Sequence, residues 1–286
     1  MSLAQRYKRT VAVTVANVKA GTFKVDQPNA FVITGLRVAF AIEKTLGKTP
    51  NTCTISISNL AATTRATLQK LPLNVTLAAG YDGDNRQVFV GDVLYTSTQR
   101  DGGTTTTKIQ VGDGARAYSS ARLVKSYKGV VDPKAVIADL ASSMGLSLPT
   151  SSAQVQSLFG SFSSGLAISG PSAASVDRIV KAQGLDWSIQ DGQMQILSPN
   201  GSRPGTAILV SQQTGMIGSP EYGTPPADGK PPELTVKSLL IPEATPGALV
   251  QIQSIGVNGF FRIQKVKHDG DNYGEEWTTT MECVAR

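Results

Sequence analysis

Apolar and polar residues alternate along much of the first 115 residues. Val11 to Val15 and Thr54 to Ser58 both show this period of two, which predicts β-strands with one buried face. Similar runs cover 75–79, 88–90, 93–98 and 104–111. Asx-Gly turns near Asp82 and Asp101 separate them, as in successive β-hairpins. Because full pairing removes exposed strand edges, this part is expected to close into a small barrel or sandwich.

One short helix is predicted inside this β-rich part. Asn59 has a side chain suited to capping a helix, and Leu60, Thr64, Leu68 and Leu71 fall on one helical face. Pro72 follows directly, so the helix is expected to end there.

The pattern becomes helical after Gly114. Asp132 and Pro133 are suited to the N-cap and first turn of a helix that ends near Gly145. A second helix is expected to begin at Ser172 or Ser175 and to end near Gly184, and two strands follow around an Asp191-Gly192 turn. Residues 119–203 are therefore predicted to form a small α/β unit.

Residues 204–286 return to strand patterns. These cover 207–210, 234–240, 249–255, 260–266 and 277–284. Five prolines between Pro220 and Pro232 break up one long connection, which cannot be a central strand. The predicted fold class is mainly β with an α+β insert. Two small β-barrel domains, 1–118 and 204–286, flank the α/β unit at 119–203.

Positive charge is concentrated at the N-terminal end. The chain has 27 Lys and Arg against 21 Asp and Glu, and residues 1–50 hold eight of the former and two of the latter, so the rest is balanced. Arg6, Lys8 and Arg9 could neutralise phosphates or dock on an acidic protein neighbour. Charged residues make up only 17% of the chain, against about a quarter in ordinary domains. Such a surface suits a subunit largely covered by neighbours, and it fits a β-rich monomer equally well.

Several kinds of site are not supported by the sequence. Cys53 and Cys283 are too far apart for zinc-ligand spacing and are expected to be reduced thiols. Only His268 could serve histidine-dependent catalysis, and no nucleophile accompanies it in the sequence. The Asp269–Gly274 run begins like a calcium loop, but Tyr273 replaces an oxygen ligand. We expect no catalytic, cofactor or metal site and no membrane-spanning segment.

A Ser/Gly-rich stretch separates the two middle helices. It carries Phe159 and Phe162 and is predicted to be a loop that either orders against a partner or packs its phenylalanines locally.

The order of these parts resembles the baseplate hub proteins of contractile phage tails, especially the Mu-like and related prophage hubs. The shared elements in 51–114 are the strand ending at Asn59-Leu60, the short helix, the Gly80–Gly83 turn and the Val90–Val93 strand. Residues 132–146 and 176–197 look like the family's middle segment. Residues 235–254 and 261–286 look like its closing barrel.

The resemblance implies a structural protein of the virion tail, assembled in the bacterial cytoplasm. In that family three subunits with two barrels each form a ring of six barrels, which joins a sixfold tail tube to a threefold spike. Expected partners are a homotrimer, the tube protein, the central spike and baseplate wedge proteins, while DNA passes through the channel without specific binding. Hairpin residues Arg86 and Arg100 are candidates for tube contacts.

Two other classes of function stay open. A distal-tail adaptor, or the hub portion of a type VI secretion spike, would differ in stoichiometry and neighbours rather than in chemistry. A tail-associated cell-wall hydrolase is disfavoured because the sequence shows no catalytic constellation.

Overall fold

The computed structural model describes residues 8–18, 25–70, 72–148, 160, 162–224 and 232–285, with backbone only for 25–29. Strands dominate, and thirteen of the seventeen described strands form one sheet. The prediction of a mainly β fold is confirmed.

Seven strands form the first half-sheet, in the order β2-β1-β5-β6-β7-β4-β3. Their bounds are β1 Arg9–Val18, β2 Val25–Ile33, β3 Val38–Thr45, β4 Thr52–Ser58, β5 Leu73–Tyr81, β6 Asp84–Asp101 and β7 Thr104–Gly112. All their pairings are antiparallel. The short helix α1, Ala62–Leu68, connects β4 to β5.

The first half-sheet is strongly curled. In a flat sheet of seven strands the end strands would lie about 29 Å apart. The end strands β2 and β3 are joined by residues 34–37 alone, which span at most about 18 Å. The described pairings include no ladder between β2 and β3, so the predicted closure into a barrel is not seen.

Six strands form the second half-sheet, in the order β12-β15-β16-β17-β14-β13. Their bounds are β12 Ile208–Ser211, β13 Met216–Tyr222, β14 Leu234–Leu239, β15 Leu249–Gln253, β16 Asn258–Asp271 and β17 Trp277–Ala285. Residues 212–215 join the end strands β12 and β13, so this half is curled for the same reason. Here too, no ladder between the end strands is among the described pairings.

A ladder between β3 and β16 joins the two half-sheets. It runs from Thr45 paired with Lys265 to Ala39 paired with Asp271. The preceding part of β16 pairs with β15, and most of the strand also pairs with β17. The two β regions are therefore parts of one continuous sheet rather than two separate sheets.

The described residues of the middle segment form two small sheets that pack against three helices. Its elements are α2 Ala115–Ser120, β8 Arg122–Tyr127, α3 Pro133–Ser143, β9 Leu166–Pro171, α4 Ser172–Lys181, β10 Asp186–Gln190 and β11 Gln193–Leu197. Strand β8 pairs with β9, and β10 pairs with β11. The carboxylate of Asp132 accepts a hydrogen bond from the Lys134 N–H at 2.9 Å, which confirms the predicted N-cap.

The buried apolar side chains of the described residues form three hydrophobic clusters. The first is built from alternate residues of β1 and β3–β7, the second from the middle segment, and the third from the second half-sheet. Leu240 and Trp277 come from the C-terminal part of the chain but pack in the first cluster. The two β regions therefore share core residues as well as a strand ladder.

One local prediction needs correction. Asn59 does not cap α1: it has a left-handed backbone (φ 57°), and its side-chain oxygen accepts the Thr105 N–H at 3.0 Å. The N-cap position is Ala61, which makes no side-chain cap. Pro220 lies in β13, which pairs on one side only among the described pairings, so this part of the proline-containing connection is not a central strand, as predicted.

Candidate functional site

A buried lysine marks the place where the middle segment meets the first half-sheet. Val38, Phe40 and Ile42 of β3 point into the first cluster, so Lys44 points inward as well, and its side chain is fully buried. Its Nζ donates to both carboxylate oxygens of Asp191, at 2.6 and 2.7 Å. This ion pair neutralises a cation that would otherwise be isolated in an apolar core.

The β10–β11 turn holds Asp191 in place. Asp191 and Gly192 both have left-handed backbones, with φ 54° and 75°, as a two-residue hairpin turn requires. Their backbone N–H groups donate to the Asp113 carboxylate at 2.6 and 3.0 Å. Burial raises the pKa of Asp113 to about 7, and the nearby Asp191 carboxylate adds to this effect while Lys44 opposes it.

Two buried amides complete the cluster. Asn51 donates from Nδ2 to the Ile189 carbonyl and to Gln190 Oε1, both at 3.0 Å, and accepts the Thr45 N–H at 2.9 Å. Gln190 donates to the Thr45 carbonyl at 2.7 Å. We call Lys44, Asn51, Asp113, Gln190 and Asp191 the polar junction. It fixes the β10–β11 turn against the ends of β3, β4 and β7, which is a structural role.

Arg9 makes its described contacts within its own chain. Its guanidinium donates to the carbonyls of Asp271, Gly274 and Glu275 at 3.0, 2.5 and 3.1 Å. It also lies 5.6 Å from the centre of the Trp277 ring. The residue thus ties β1 to the β16–β17 hairpin, and its predicted contact with a partner stays a prediction.

Residues 36–38 also bind the β16–β17 hairpin. Arg37 donates to the Asp271 carboxylate, with a shortest distance of 2.7 Å, and Asn272 bonds to the backbone of Leu36 and Val38. The Arg37 guanidinium lowers the pKa of Asp271. Asp271 therefore stabilises the hairpin turn that the sequence predicts between the last two strands.

The other predicted contact residues are spread over the surface. Lys8 reaches Asp82 at 3.4 Å and Arg86 reaches Asp84 at 2.5 Å, both on the β5–β6 hairpin. Arg100 lies at the opposite end of β6 and donates to the Gly102 carbonyl at 3.3 Å.

Of the two phenylalanines in the Ser/Gly-rich stretch, the structure describes one. Phe162 forms a backbone bridge with Val131 and packs partly buried against the second cluster. Phe159 lies outside the described residues, as does the basic candidate Arg6. The structure thus places Lys8 near Arg86 and does not bring Arg100 or Phe162 to them.

Open strand edges are surfaces that the sequence did not reveal. Within the described pairings, β2, β12 and β13 are each bonded on one side only. Strand β6 pairs with β5 only up to Asp92, so its Thr- and Ser-containing end, 95–101, pairs with β7 alone. Unpaired edges offer N–H and C=O groups to strands of other chains.

His268 and the cysteines face the interior. His268 is fully buried, with Nδ1 2.9 Å from Thr279 Oγ1 and Nε2 3.3 Å from the Ala244 carbonyl, and burial lowers its pKa to about 3. Cys53 and Cys283 are separate buried thiols whose pKa values are raised by burial. Within the described ranges, no three His, Cys, Asp or Glu side chains form a metal-binding group. No helix of that same part is long and apolar enough to cross a membrane.

Sequence comparison finds no matching family model and no matching curated protein. Solved structures do match. The 43 kDa tail protein of prophage MuSo2 from Shewanella oneidensis superposes with a TM-score of 0.62 at 11% identity, over 97% of this chain and 98% of that one. The chain has the fold of a prophage tail protein.

Two further structures share this fold. A tail protein from Neisseria meningitidis MC58 matches with a TM-score of 0.62 at 12% identity, over 97% of each chain. The E. coli c3393 protein matches with a TM-score of 0.56 at 12% identity, over 87% of this chain and 73% of that one. That protein is described as a type VI secretion component similar in structure to the T4 tail proteins gp27 and gp5.

Proposed function

We propose that the protein is a structural subunit of a phage tail, and within the tail the baseplate hub. Three copies form a ring that joins the sixfold tail tube to the threefold central spike and encloses the channel through which DNA passes. Its place is the tail of the virion, and its action is assembly by contact rather than catalysis.

One observation carries the proposal: two curled half-sheets lie in one chain and are joined by the β3–β16 ladder. Each half-sheet surrounds its own hydrophobic cluster, so each can act as one lobe of a ring. Three such chains present six lobes, which matches a sixfold neighbour on one side and a threefold neighbour on the other. The fold shared with prophage tail proteins supports this assignment.

The surface supports an assembly role as well. The open edges of β2, β12 and β13 can pair with strands of neighbouring subunits. The exposed arginines Arg86 and Arg100 lie at opposite ends of β6. We propose that these hairpin ends contact the tube, while the middle segment contacts the spike or a neighbouring subunit.

The mass of the purified protein over a concentration series is the first test. The expected result is a trimer that appears in negative-stain images as a ring with six lobes. A hexameric ring would instead support a distal-tail adaptor. A monomer at every concentration, also in the presence of the tail tube and spike proteins, would contradict the hub assignment.

Charge reversal tests the contact with the tube. The double variant R86E/R100E is expected to form the same oligomer as the wild type but to lose co-sedimentation with assembled tail tube. Unchanged co-sedimentation would contradict a tube contact at the hairpin ends.

The basic N-terminal segment is tested separately. Arg9 is left intact because its guanidinium contacts the β16–β17 hairpin. The variant R6Q/K8Q is expected to fold normally and to recover less baseplate than the wild type in an assembly assay. Full recovery would show that these charges do not dock on a neighbour.

The hub portion of a type VI secretion spike is a second candidate, favoured by the fold shared with the E. coli c3393 protein. The two assignments predict different assembly partners. Co-purification with a phage-type tail tube and spike supports the tail hub, whereas co-purification with a secretion-system tube and a fused spike supports this alternative.

A further inference from the structure

The contact between Lys44 and Asp191 differs from the other described ion pairs in its burial. The Lys44 side chain has no exposed surface, whereas the cations of the other pairs among the described residues are 25–72% exposed. The Asp191 carboxylate is 18% exposed. The pair therefore joins an amine that is shielded from water to a carboxyl group that still reaches the surface.

The Lys44 nitrogen also lies within reaction distance of the Asp191 carboxyl carbon. Nζ is 2.7 Å from Oδ1 and 2.6 Å from Oδ2. An atom that close to both oxygens is about 3 Å from Cγ, which is the separation at which preorganised groups react. The torsion about the Cβ–Cγ bond of aspartate is soft, so the carboxyl group can rotate to turn one face toward Nζ.

Both partners are held in place by neighbouring contacts. The β3–β16 ladder fixes the Lys44 backbone, and the Asp113 carboxylate accepts the Asp191 N–H at 2.6 Å. Gln190, directly before Asp191, donates to the carbonyl of Thr45, directly after Lys44, at 2.7 Å. Groups oriented in this way react as if their concentration were about 10⁵–10⁸ M, which favours condensation over hydrolysis.

The surroundings of Lys44 favour a product without charge. Nζ lies 5.7 Å from the centre of the Phe89 ring. Cys53 and His268, which both pair with the inward residue Ile42, are buried, and burial raises the pKa of Cys53 and lowers that of His268, so both are neutral near pH 7. An ion pair loses hydration in such a place, whereas an amide carries no net charge to be solvated.

We propose that Lys44 and Asp191 condense to an amide bond that joins β3 covalently to the β10–β11 turn. Nζ bonds to Cγ, one Cγ–O bond breaks, and that oxygen leaves as water. Two of the three ammonium protons pass to the departing oxygen and the third stays on the amide nitrogen, so no other reactant is consumed. The exposed side of Asp191 gives the water a route to solvent.

The intact mass of the denatured full-length protein tests the proposal. The expected mass is below the value calculated from the sequence by about 18 Da, the mass of one water. The measurement is made on fresh protein and again after prolonged incubation of the folded protein at neutral pH. A protein that still has its calculated mass after incubation would overturn the proposal, because the two side chains would then form an ion pair only.

Tryptic mapping of the wild-type protein locates the bond without any variant. Trypsin cleaves after Lys44 only when its amine is free. The linked chain is therefore expected to give a branched peptide in which 38–48, uncut at Lys44, is joined to the peptide that contains Asp191. Separate, unmodified peptides for the two residues would overturn the proposal, as would a branch between other residues.

A cyclic imide at Asp191-Gly192 would also lose one water, and a variant distinguishes it. The Gly192 N–H is directed at Asp113, which disfavours closure of that ring on Asp191. Lys44→Met cannot form the amide and is expected to have its own calculated mass. A loss of about 18 Da that persists in this variant would identify the imide and overturn the proposal.

Lys125→Met is the matched control. Lys125 contacts Asp139 at 2.6 Å, but its side chain is 45% exposed, so this pair is expected to remain ionic. The variant should keep the same mass loss as the wild type. A Lys125→Met protein at its calculated mass would assign the loss to the exposed pair and overturn the link at Lys44. The proposal does not depend on the hub assignment.

Discussion

Lys44 and Asp191 lie 147 residues apart in sequence, yet both carboxylate oxygens of Asp191 are within 2.7 Å of the Lys44 ammonium. The lysine is fully buried, so the first half-sheet depends on the middle segment to neutralise a charge in its core. Removing one partner of such a pair leaves the other charge buried and unpaired. We expect Lys44→Met to lower the free energy of unfolding by about 3–5 kcal/mol, as measured by urea denaturation.

A double variant separates the ion pair from other effects of the substitution. Asp191→Asn tolerates the left-handed backbone at that position and removes the negative charge. K44M/D191N is expected to be more stable than K44M alone. A double variant that loses the sum of the two single effects would show that the pair is not coupled.

The buried Asp113 makes stability depend on pH. Its pKa is raised to about 7, above its ordinary value of about 3.9, so the folded state holds a proton that the unfolded state releases. The stabilisation is complete below pH 4 and is lost as the pH rises to about 7, by at most about 1.4 kcal/mol per pH unit. We expect Asp113→Asn to remove this falling contribution in denaturation curves recorded between pH 5 and pH 6.5.

His268 changes the pH dependence of stability in the opposite direction from Asp113, over nearly the same pH range. Its pKa is lowered to about 3, from about 6.5, so the unfolded state takes up a proton that the folded state refuses. This contribution to stability is present above pH 6.5 and is lost as the pH falls toward 3.

The contributions of Asp113 and His268 to the pH dependence of stability have opposite signs and offset each other in part between pH 5 and pH 6.5. His268→Gln keeps a donor and an acceptor and should leave a stability that falls with rising pH. Asp113→Asn should leave one that rises. Equal pH slopes in the two variants would contradict these protonation states.

The contacts of Arg9 predict a large contrast with its neighbour. Arg9 bonds to three backbone carbonyls, whereas Lys8 forms one exposed pair with Asp82. Arg9→Met is expected to lower the melting temperature and to cost about 1–3 kcal/mol, because three acceptors lose a charged donor. Lys8→Met should produce no measurable change. Similar melting temperatures for the two variants would contradict the described role of Arg9.

Gly270 leaves room for an aromatic pair in the first cluster. It lies opposite Phe40 in the β3–β16 ladder, and a Cβ there would overlap the Phe40 ring, which packs edge-on against Trp277 at 5.5 Å. We expect Gly270→Ala to cost about 1–3 kcal/mol through overpacking.

Near-ultraviolet circular dichroism should report the displaced tryptophan in Gly270→Ala. Gly103→Ala is the control, since nothing lies within 4 Å of the added methyl group. An unchanged spectrum together with wild-type stability in Gly270→Ala would show that the ring pair is not constrained by Gly270.

Local patterns predicted most elements that carry a clear period. The alternation around Val13 and the Asp132 cap both correspond to observed structure. The pattern was weaker in β3, whose fourth inward position is Lys44 rather than an apolar residue. The residues around Lys44 do not show whether the lysine is buried or exposed, because the carboxylate that neutralises it belongs to a distant turn.

The polar junction could not be predicted from local sequence patterns either. The Asp191-Gly192 turn is predicted by its own residues, but no local signal connects it to Asp113 or Asn51. Long-range pairing also decides which edges remain open and how β3 meets β16. These features depend on the sheet topology, which no short stretch of the chain encodes.

The pairing of β3 with β16 has a consequence for synthesis. The two strands are more than two hundred residues apart, so β3 leaves the ribosome with one edge that can be covered only when β16 emerges. At about 5–20 residues per second this takes roughly 10–40 s. During that interval, neighbouring nascent chains on the same messenger RNA all expose the unpaired edge of β3, and these edges can pair with one another. Protection of β3 by a chaperone is most valuable in that interval.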